Sequence, residues 1–332
     1  MSLQRGSAGL ARKMHQQDGQ LAPATLPPSA ASCIICHPDA TRGCRGRRLR
    51  RILARLGPRV HLLSSACPGQ TEELALQAAL SGFDTVVAAG GDGTVHEAAN
   101  GLMRSGKSDV VLGVLPLGSG NDYAASLNLP RQEEALVNLL SSQVFRTVDV
   151  GWVRCDNGKE RWFVNTLGFC LSGAVVWETR KIRWLRGLAL YGFGALKALV
   201  RHFRWYPMKF TLDGKAWSAP TLFFTLALGK REGGGFVVAP SAVLDDGCFD
   251  YLHGSQLNLL SALWYAPGLV VGQLPTHDPR VRTGRCRSAL IESSEPLPIH
   301  SDGEVLSGPD QKVHRVEVKL LPQALRVRAP AQ

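Results

Sequence analysis

Four short segments carry the residue types that phosphate and hydroxyl chemistry needs. The first is Gly90-Gly91-Asp92-Gly93-Thr94, which follows the apolar run 85–89. It leads into Val95 and His96, the start of a helical pattern over 95–102 that is expected to close at Gly101. Glycines between a strand and a helix let backbone N–H groups approach a phosphate, and the helix N-terminus adds a favourable dipole. Asp92 fits such an anion cradle only if a metal or a proton transfer is also involved. The second segment, Pro116-Leu117-Gly118-Ser119-Gly120-Asn121-Asp122-Tyr123, again follows a strand-like run. Its Ser119 hydroxyl suits a phosphate oxygen, and Asn121 or Asp122 suits a helix cap. The third is Val243-Leu244-Asp245-Asp246-Gly247-Cys248. Paired carboxylates beside backbone carbonyls suit a hard cation such as Mg²⁺, and they equally suit a plain Asp-Gly turn. The fourth, Ser301-Asp302-Gly303-Glu304, is either a turn or the place of a carboxylate, Glu304, that serves as base toward a hydroxyl.

These segments need a scaffold, and the apolar periodicity supplies one. From residue 32 onward, strand-like runs at 33–36, 60–63, 85–89 and 110–115 alternate with helical patterns at 45–56, 71–81, 95–102 and within 127–140. That order predicts an α/β domain with a Rossmann-like, doubly wound parallel sheet, whose ligands bind at the carboxyl ends of the strands. After Gly151 short strands dominate, at 162–167, 207–212, 215–218, 221–228, 236–239, 248–252, 286–292, 297–300 and 313–319. This part reads as an all-β region, an antiparallel β-sandwich or open barrel, with Asp213-Gly214 as a hairpin signal. The domains expected are a Pro-rich arm over 1–30, an α/β domain over 31–150 and a β domain over 151–317. Two apolar helical stretches, 181–206 and 257–271, interrupt the second region. Each is either a helix packed on the sheet or part of a surface that meets lipid.

Bulk properties narrow the classes. The chain has 332 residues, a formal net charge of +11 and 45% hydrophobic residues. That excess of positive charge favours an anionic partner. The eight cysteines are scattered rather than arranged as a disulfide framework, which indicates a reducing compartment. Cys33-Ile34-Ile35-Cys36-His37 has the spacing of a haem attachment site, but it reads as the first strand of the sheet. No signal-peptide apolar region and no run of about 18 uncharged apolar residues is visible, so a cytoplasmic protein is expected.

Taken in order, these motifs resemble the diacylglycerol kinase catalytic-domain family, and more narrowly its soluble bacterial lipid kinases. The resemblance rests on Gly90 to Thr94 with Asn100-Gly101-Leu102, on 116–122, on Leu244-Asp245-Asp246-Gly247 and on Asp302-Gly303-Glu304. Asp149-Val150-Gly151 resembles the family's domain junction, and Gly233-Gly234-Gly235 with Ala239-Pro240 resembles a further family segment. It covers about residues 33–330. A similar first loop alone also occurs in NAD kinases and phosphofructokinases, so the ordered set carries the likeness.

The resemblance implies an ATP-dependent kinase that phosphorylates a lipid alcohol with Mg²⁺. It implies an active site between the two domains and a last segment, 318–330, that returns to the first. By position, Gly90, Gly91, Asp92, Gly93, Thr94, Val95, His96, Ser65 and Ser119 would line the nucleotide. Val243 and Cys248 would offer backbone oxygens to a metal and Asp246 its carboxylate, while the catalytic pair would be Glu304, accepting the proton, and Asp92, helping to hold the nucleotide–metal complex. A peripheral contact with an anionic membrane surface follows, and no nucleic acid is expected. The chain departs from the family at 37–41, where only Pro38 agrees, and at Leu228, where the family has Asn. Ser65 and Ser119 stand for Thr and keep the hydroxyl. The competing readings are a soluble-substrate kinase of the NAD-kinase type and a non-catalytic membrane- or nucleic-acid-binding protein on the same fold.

Overall fold

The structure is a computed structural model that describes residues 32–331 apart from Arg59 and Arg183. The arm expected over residues 1–30 lies outside the described residues. Four parallel strands open the chain: β1 (Ser32–Cys36), β2 (Val60–Ser64), β3 (Thr85–Gly90) and β4 (Val111–Pro116). They stand in the order β2-β1-β3-β4. Alternation along each strand sorts the core into two faces. Cys33, Ile35, Val86 and Ala88 pack with α2 (Gln70–Leu80) and α3 (Asp92–Ser105). Ile34, Cys36, Val87 and Ala89 pack with α1 (Gly43–Leu56) and α5 (Glu133–Ser141). The short α4 (Asp122–Ser126) leads into α5. Helices on both faces make the sheet doubly wound, and the winding reverses between β1 and β3, where ligands bind in such folds. Cys33 and Cys36 fall in different cores, on opposite faces of β1, and so form no paired haem attachment.

The parallel sheet does not end at β4. Its next strand is β18 (Arg315–Val327), whose last residues Arg326 and Val327 run parallel beside Val111 and Leu112. β18 also pairs antiparallel with β5 (Arg146–Cys155) and β15 (Ser288–Ser293), and β15 with β8 (Tyr206–Leu212). One ten-stranded sheet thus spans both parts of the chain, including β9 (Lys215–Thr221) and β6 (Glu160–Phe163).

A second, six-stranded antiparallel sheet is ordered β14-β13-β10-β7-β16-β17. Its strands are β7 (Thr166–Cys170), β10 (Phe223–Ala227), β13 (Phe249–Gly254), β14 (Val281–Cys286), β16 (Ile299–Ser301) and β17 (Glu304–Ser307). Aromatic rings fill the layer between the two sheets: Phe210 lies 4.8 Å from Phe224, and Phe163 lies 5.5 Å from Phe249, centroid to centroid. A two-stranded ribbon, β11 (Arg231–Glu232) with β12 (Phe236–Val237), stands apart.

The structure departs from the sequence expectations in four places. The helix after the first glycine turn does not close at Gly101 but runs to Ser105 and ends on Gly106, with φ 66°. Gly101 lies inside it because a side chain there would run into the Glu72 carbonyl of α2. The strand expected over 162–167 breaks at Val164 and Asn165, whose N–H groups turn to Asp302. The helical stretch 181–206 narrows to α7 (Gly187–His202), preceded by an unforeseen α6 (Leu171–Thr179). The stretch 257–271 holds α8 (Leu259–Val270).

Candidate active site

The site is built on the carboxyl edge of the parallel strands. Gly91 caps α3 in an extended conformation, and its backbone packs directly on Gly118 of the second glycine turn. Only glycine permits that approach, so the two turns form one surface. Asp92 fastens them together. Its Oδ2 accepts the Asn121 N–H at 2.8 Å, and its Oδ1 accepts the Tyr123 N–H at 3.1 Å, so it caps α4. Burial raises the Asp92 pKa above the ordinary carboxylate value, against the pull of those hydrogen bonds. Asp122 is next in line. Its Oδ2 accepts the Gly234 N–H at 2.6 Å, which ties the turn to the 233–235 glycine run of the second domain. Burial first, then the nearby Asp92 charge, pushes the Asp122 pKa up to about 7.

From the other side comes the Asp302-Gly303 hairpin turn, with φ 51° and 81°, between β16 and β17. Buried Asp302 is a hub. It accepts N–H groups from Val164 at 3.0 Å, Asn165 at 2.9 Å and Thr166 at 3.0 Å. Its Oδ2 also meets His96 Nδ1 at 2.9 Å. Burial alone would lower the His96 pKa, but the bond to Asp302 and that carboxylate's charge outweigh it and raise it. One turn along α3, the Asn100 amide donates to the Trp162 carbonyl at 2.9 Å and accepts the Trp162 N–H at 3.0 Å. His96 and Asn100 therefore lock the nucleotide-type half of the fold to the β half. The same hairpin holds Glu304 against the first turn of α3: a Cβ on Gly93 would stand 2.8 Å from Glu304 Oε1. Glu304 is partly exposed, with the Arg180 guanidinium 3.7 Å away.

Beside these acids lies a cavity of about 190 Å³. Asp92, Asp122, Asp302 and Gly303 line its acidic end, and Tyr191 joins them. Its walls are otherwise largely apolar, drawn from α6, α7, α8, β10 and β13, with Val176, Leu199, Phe223, Leu252, Tyr265 and Leu269 among them. Ser172, His300 and Glu232 form a polar spot in this lining. The Gly303 N–H donates to His300 Nδ1 at 3.3 Å, which leaves Nε2 to donate to Ser172 Oγ at 2.9 Å. Ser172 in turn donates to Glu232 at 3.2 Å.

The residues singled out from the sequence divide into two groups. Gly90 to His96, with Glu304, converge on the start of α3. Ser119 is exposed on the second turn, whose Asn121 and Gly118 bond each other. Ser65 is buried at the end of β2, its N–H on the Cys36 carbonyl at 3.0 Å. The 37–41 segment begins at the same edge, with the His37 N–H on Ala89 O at 3.4 Å, and forms a short 3-10 turn. The 243–248 turn is anchored elsewhere, on buried Asp149, which accepts the Gly247 N–H at 2.7 Å and the Gln323 N–H at 2.8 Å. There the Asp246 carboxylate accepts the Cys248 N–H at 3.1 Å and is gripped by Arg285. It therefore fits a cation only after giving up that guanidinium. Among the described residues no three His, Cys, Asp or Glu side chains gather as a cation site. Sequence reading missed Asp122 as an acid of the site, Asp302 as its hub, and Tyr191 and Arg180 at its rim. It also missed Arg48, which reaches from α1 to the Pro116 carbonyl at 3.1 Å. The one available signal was that Asp122 and Asp302 already lay in the quoted motifs.

A glycine-turned parallel sheet joined to a β-sandwich, with acids and an apolar cavity at the junction, defines a two-domain kinase class. Residues 32–153 match the diacylglycerol kinase catalytic domain, and residues 167–329 match the YegS C-terminal NAD kinase beta sandwich-like domain. The chain is 28% identical over 276 residues to a diacylglycerol kinase of Bacillus subtilis, covering 82% of this chain and 88% of that one. It is 27% identical over 305 residues to the lipid kinase YegS of Escherichia coli K12, covering 90% and 96%. A crystal structure of a diacylglycerol kinase from Bacillus anthracis shares the fold, with a TM-score of 0.67 and 20% identity over 90% of this chain and 97% of that one. The chain belongs to the diacylglycerol kinase catalytic-domain family, as a phosphotransferase with an alcohol group as acceptor.

Proposed function

We propose that this protein transfers the γ-phosphoryl group of ATP to the hydroxyl of a membrane lipid such as diacylglycerol. The observation that carries the reading is the cavity: apolar along most of its wall, acidic at the end that adjoins the start of α3. Such a shape suits an acyl chain in the apolar part and a hydroxyl at the acids. A soluble nucleotide acceptor has no use for so much apolar wall.

Phosphoryl transfer asks for positioning and charge neutralisation more than for covalent chemistry. The glycine turns at 90–93 and 118–120 and the open N–H groups of α3 would hold the phosphates. Glu304, beside Gly93, would take the hydroxyl proton. The lipid oxygen then bonds to the γ-phosphorus as the bond to the bridging oxygen breaks and ADP leaves. Asp92 acts through the second turn, which it positions, and not as the base. Mg²⁺ bound with the nucleotide would neutralise phosphate charge, and Asp246, Val243 and Cys248 are this chain's candidates to hold a further ion.

Labelled ATP and detergent-dispersed diacylglycerol test the reading. Wild type should form a phosphorylated lipid. Glu304→Gln should lose at least about a hundredfold in kcat, the scale of general-base catalysis, while still binding nucleotide. Full activity in that variant would remove Glu304 from the mechanism, and, in a parallel reaction supplied with NAD, labelling of NAD with none of diacylglycerol would remove the lipid.

A further inference from the structure

We infer that Glu232, Ser172, His300 and Thr166 form a subsite for a second hydrogen-bond donor on the lipid head group, a hydroxyl or an ammonium beside the hydroxyl that is phosphorylated. The inference rests on the lipid-kinase reading and deepens it, because it says which lipid alcohols the cavity prefers. Strand alternation builds the subsite. Leu167 and Phe169 of β7 point into the sandwich core, so Thr166 and Gly168 lie on the opposite face, toward His300 and Ser172. Gly168 leaves the room they need: a Cβ on it would collide with His300 Nε2 and crowd Ser172 Oγ. Ser172 comes from the first turn of α6 and Glu232 from the end of β11. All four of the named side chains belong to residues that line the cavity.

Hydrogen-bond directions name the ligand. The Gly303 N–H on His300 Nδ1 leaves Nε2 as a donor, and Ser172 Oγ accepts from it at 2.9 Å. The Ser172 hydroxyl donates in turn to Glu232 Oε1 at 3.2 Å. The donors of this trio are therefore engaged, while an acceptor stays open. Glu232 Oε2 lies 3.6 Å from His300 Nε2 and has no hydrogen-bond partner among the described residues. Thr166 Oγ1, on a residue 1% exposed, has none either. A buried polar atom without a partner is costly, and these two lie on a cavity wall. An ester carbonyl or a phosphate would bring only further acceptors; a hydroxyl or an ammonium brings the missing donor. Charge agrees. Asp92, Asp122, Glu232 and Asp302 line the cavity, and no Lys or Arg is among its described lining residues. The Glu232 charge also reaches the acidic end, where it adds to burial and to Asp92 in raising the Asp122 pKa. A head group that carries a phosphate would meet like charge throughout. His300 spans from the Gly303 N–H to Ser172, so the subsite stands one imidazole ring from the hairpin that carries Glu304. A donor on the carbon next to the reacting hydroxyl suits that separation. Diacylglycerol has an ester at that carbon and leaves the acceptor unmet.

Three single-chain alcohols of one length test the subsite: stearyl alcohol, the terminal vicinal diol of the same chain, and the amino alcohol with an amine in place of the second hydroxyl. Each is dispersed in the same neutral detergent and phosphorylated with labelled ATP by the full-length protein. In wild type the diol and the amino alcohol should each exceed the plain alcohol at least about tenfold in kcat/KM, the scale of one hydrogen bond to a charged group. The amino alcohol should lead, because the cavity is acidic. Glu232→Gln keeps an acceptor for Ser172 but turns a donor toward the ammonium, so it should cut the lead of the amino alcohol at least about tenfold, chiefly through KM. Thr166→Val removes a hydroxyl without changing shape. It should lower the lead of the diol severalfold, with a melting temperature at or above that of wild type. A role in folding alone would move all three alcohols together and leave their ratios in place. Equal kcat/KM for the three alcohols in wild type would overturn the subsite and keep the lipid-kinase reading. Leads that survive unchanged in Glu232→Gln would overturn it as well, and should that variant fail to fold, unchanged leads in Thr166→Val decide the same way. No phosphorylation of any of the three, nor of diacylglycerol, would defeat the lipid-kinase reading and the subsite with it.

Discussion

Replacing Asp122 by Asn should stabilise the protein at alkaline pH and leave it nearly unchanged in acid. Asp122 is buried next to Asp92, and its pKa stands at about 7 in place of the ordinary 3.8. A carboxyl whose folded pKa is raised binds its proton more tightly in the native state than in the unfolded chain. Its contribution to stability is complete below the unfolded value and is lost as pH rises through the folded one. At pH 5 the native group is still protonated, two pH units below its midpoint, while the unfolded group is already ionised. Between pH 5 and pH 8 the wild type therefore gives up about 3 kcal/mol, at roughly 1.4 kcal/mol per unit. Asn has no proton to lose, and its Oδ1 can keep the Gly234 N–H that Asp122 accepts at 2.6 Å. The Asp92 charge is already contained in that shift, as its second cause after burial. Urea melts of both proteins at pH 5 and pH 8 measure the difference. The advantage of the variant should grow by about 3 kcal/mol from the lower to the higher pH, or roughly 4 °C in melting temperature for a chain of this size. A gap that is the same at both pH values would mean that Asp122 titrates normally, and that the acidic end of the cavity is not the desolvated environment described above.

Other substitutions probe the junction. Asp302→Ala leaves the N–H groups of Val164, Asn165 and Thr166 without their acceptor and should cost about 4 kcal/mol or more, read from urea melts. Asn100→Leu removes both bonds to Trp162 and should cost about 2–3 kcal/mol, with faster amide exchange in 160–163 as its local signature. Gly101→Ala forces α3 away from the Glu72 carbonyl, so a loss of about 1–3 kcal/mol is expected despite the better helix propensity of alanine. A Gly101→Ala protein as stable as wild type would show that α2 and α3 can move apart freely.

What the sequence made legible was local. The run from Thr85 to Ala89 is buried on every residue, and the alternation within β1 puts Cys33 and Cys36 in different cores. Apolar period and glycine placement sufficed for the parallel sheet and its two turns, because neighbours in the chain decide both. The illegible parts were set by partners far away in the chain. Gly101 reads as a helix end by composition, yet it is a close approach to α2. β14 reads Val-Arg-Thr-Gly-Arg-Cys, which has too little apolar alternation to signal a strand at the edge of the sheet, paired with β13.

Asp92 and Asp302 show the same lesson at the site. Each lies in a motif that suggests catalysis, and each also accepts backbone N–H groups. His96 meets Asp302 across 206 positions of sequence, a separation no local pattern can report. The division of labour then follows from which acids are spent on structure. Asp302 is buried, Asp92 is half-buried, and both are committed to holding the two turns together. Glu304 sits on the same hairpin as Asp302 but keeps its carboxylate at the surface of the start of α3. A base must be able to reach a hydroxyl and release its proton, so the acid that the fold leaves least occupied is the one suited to the chemistry.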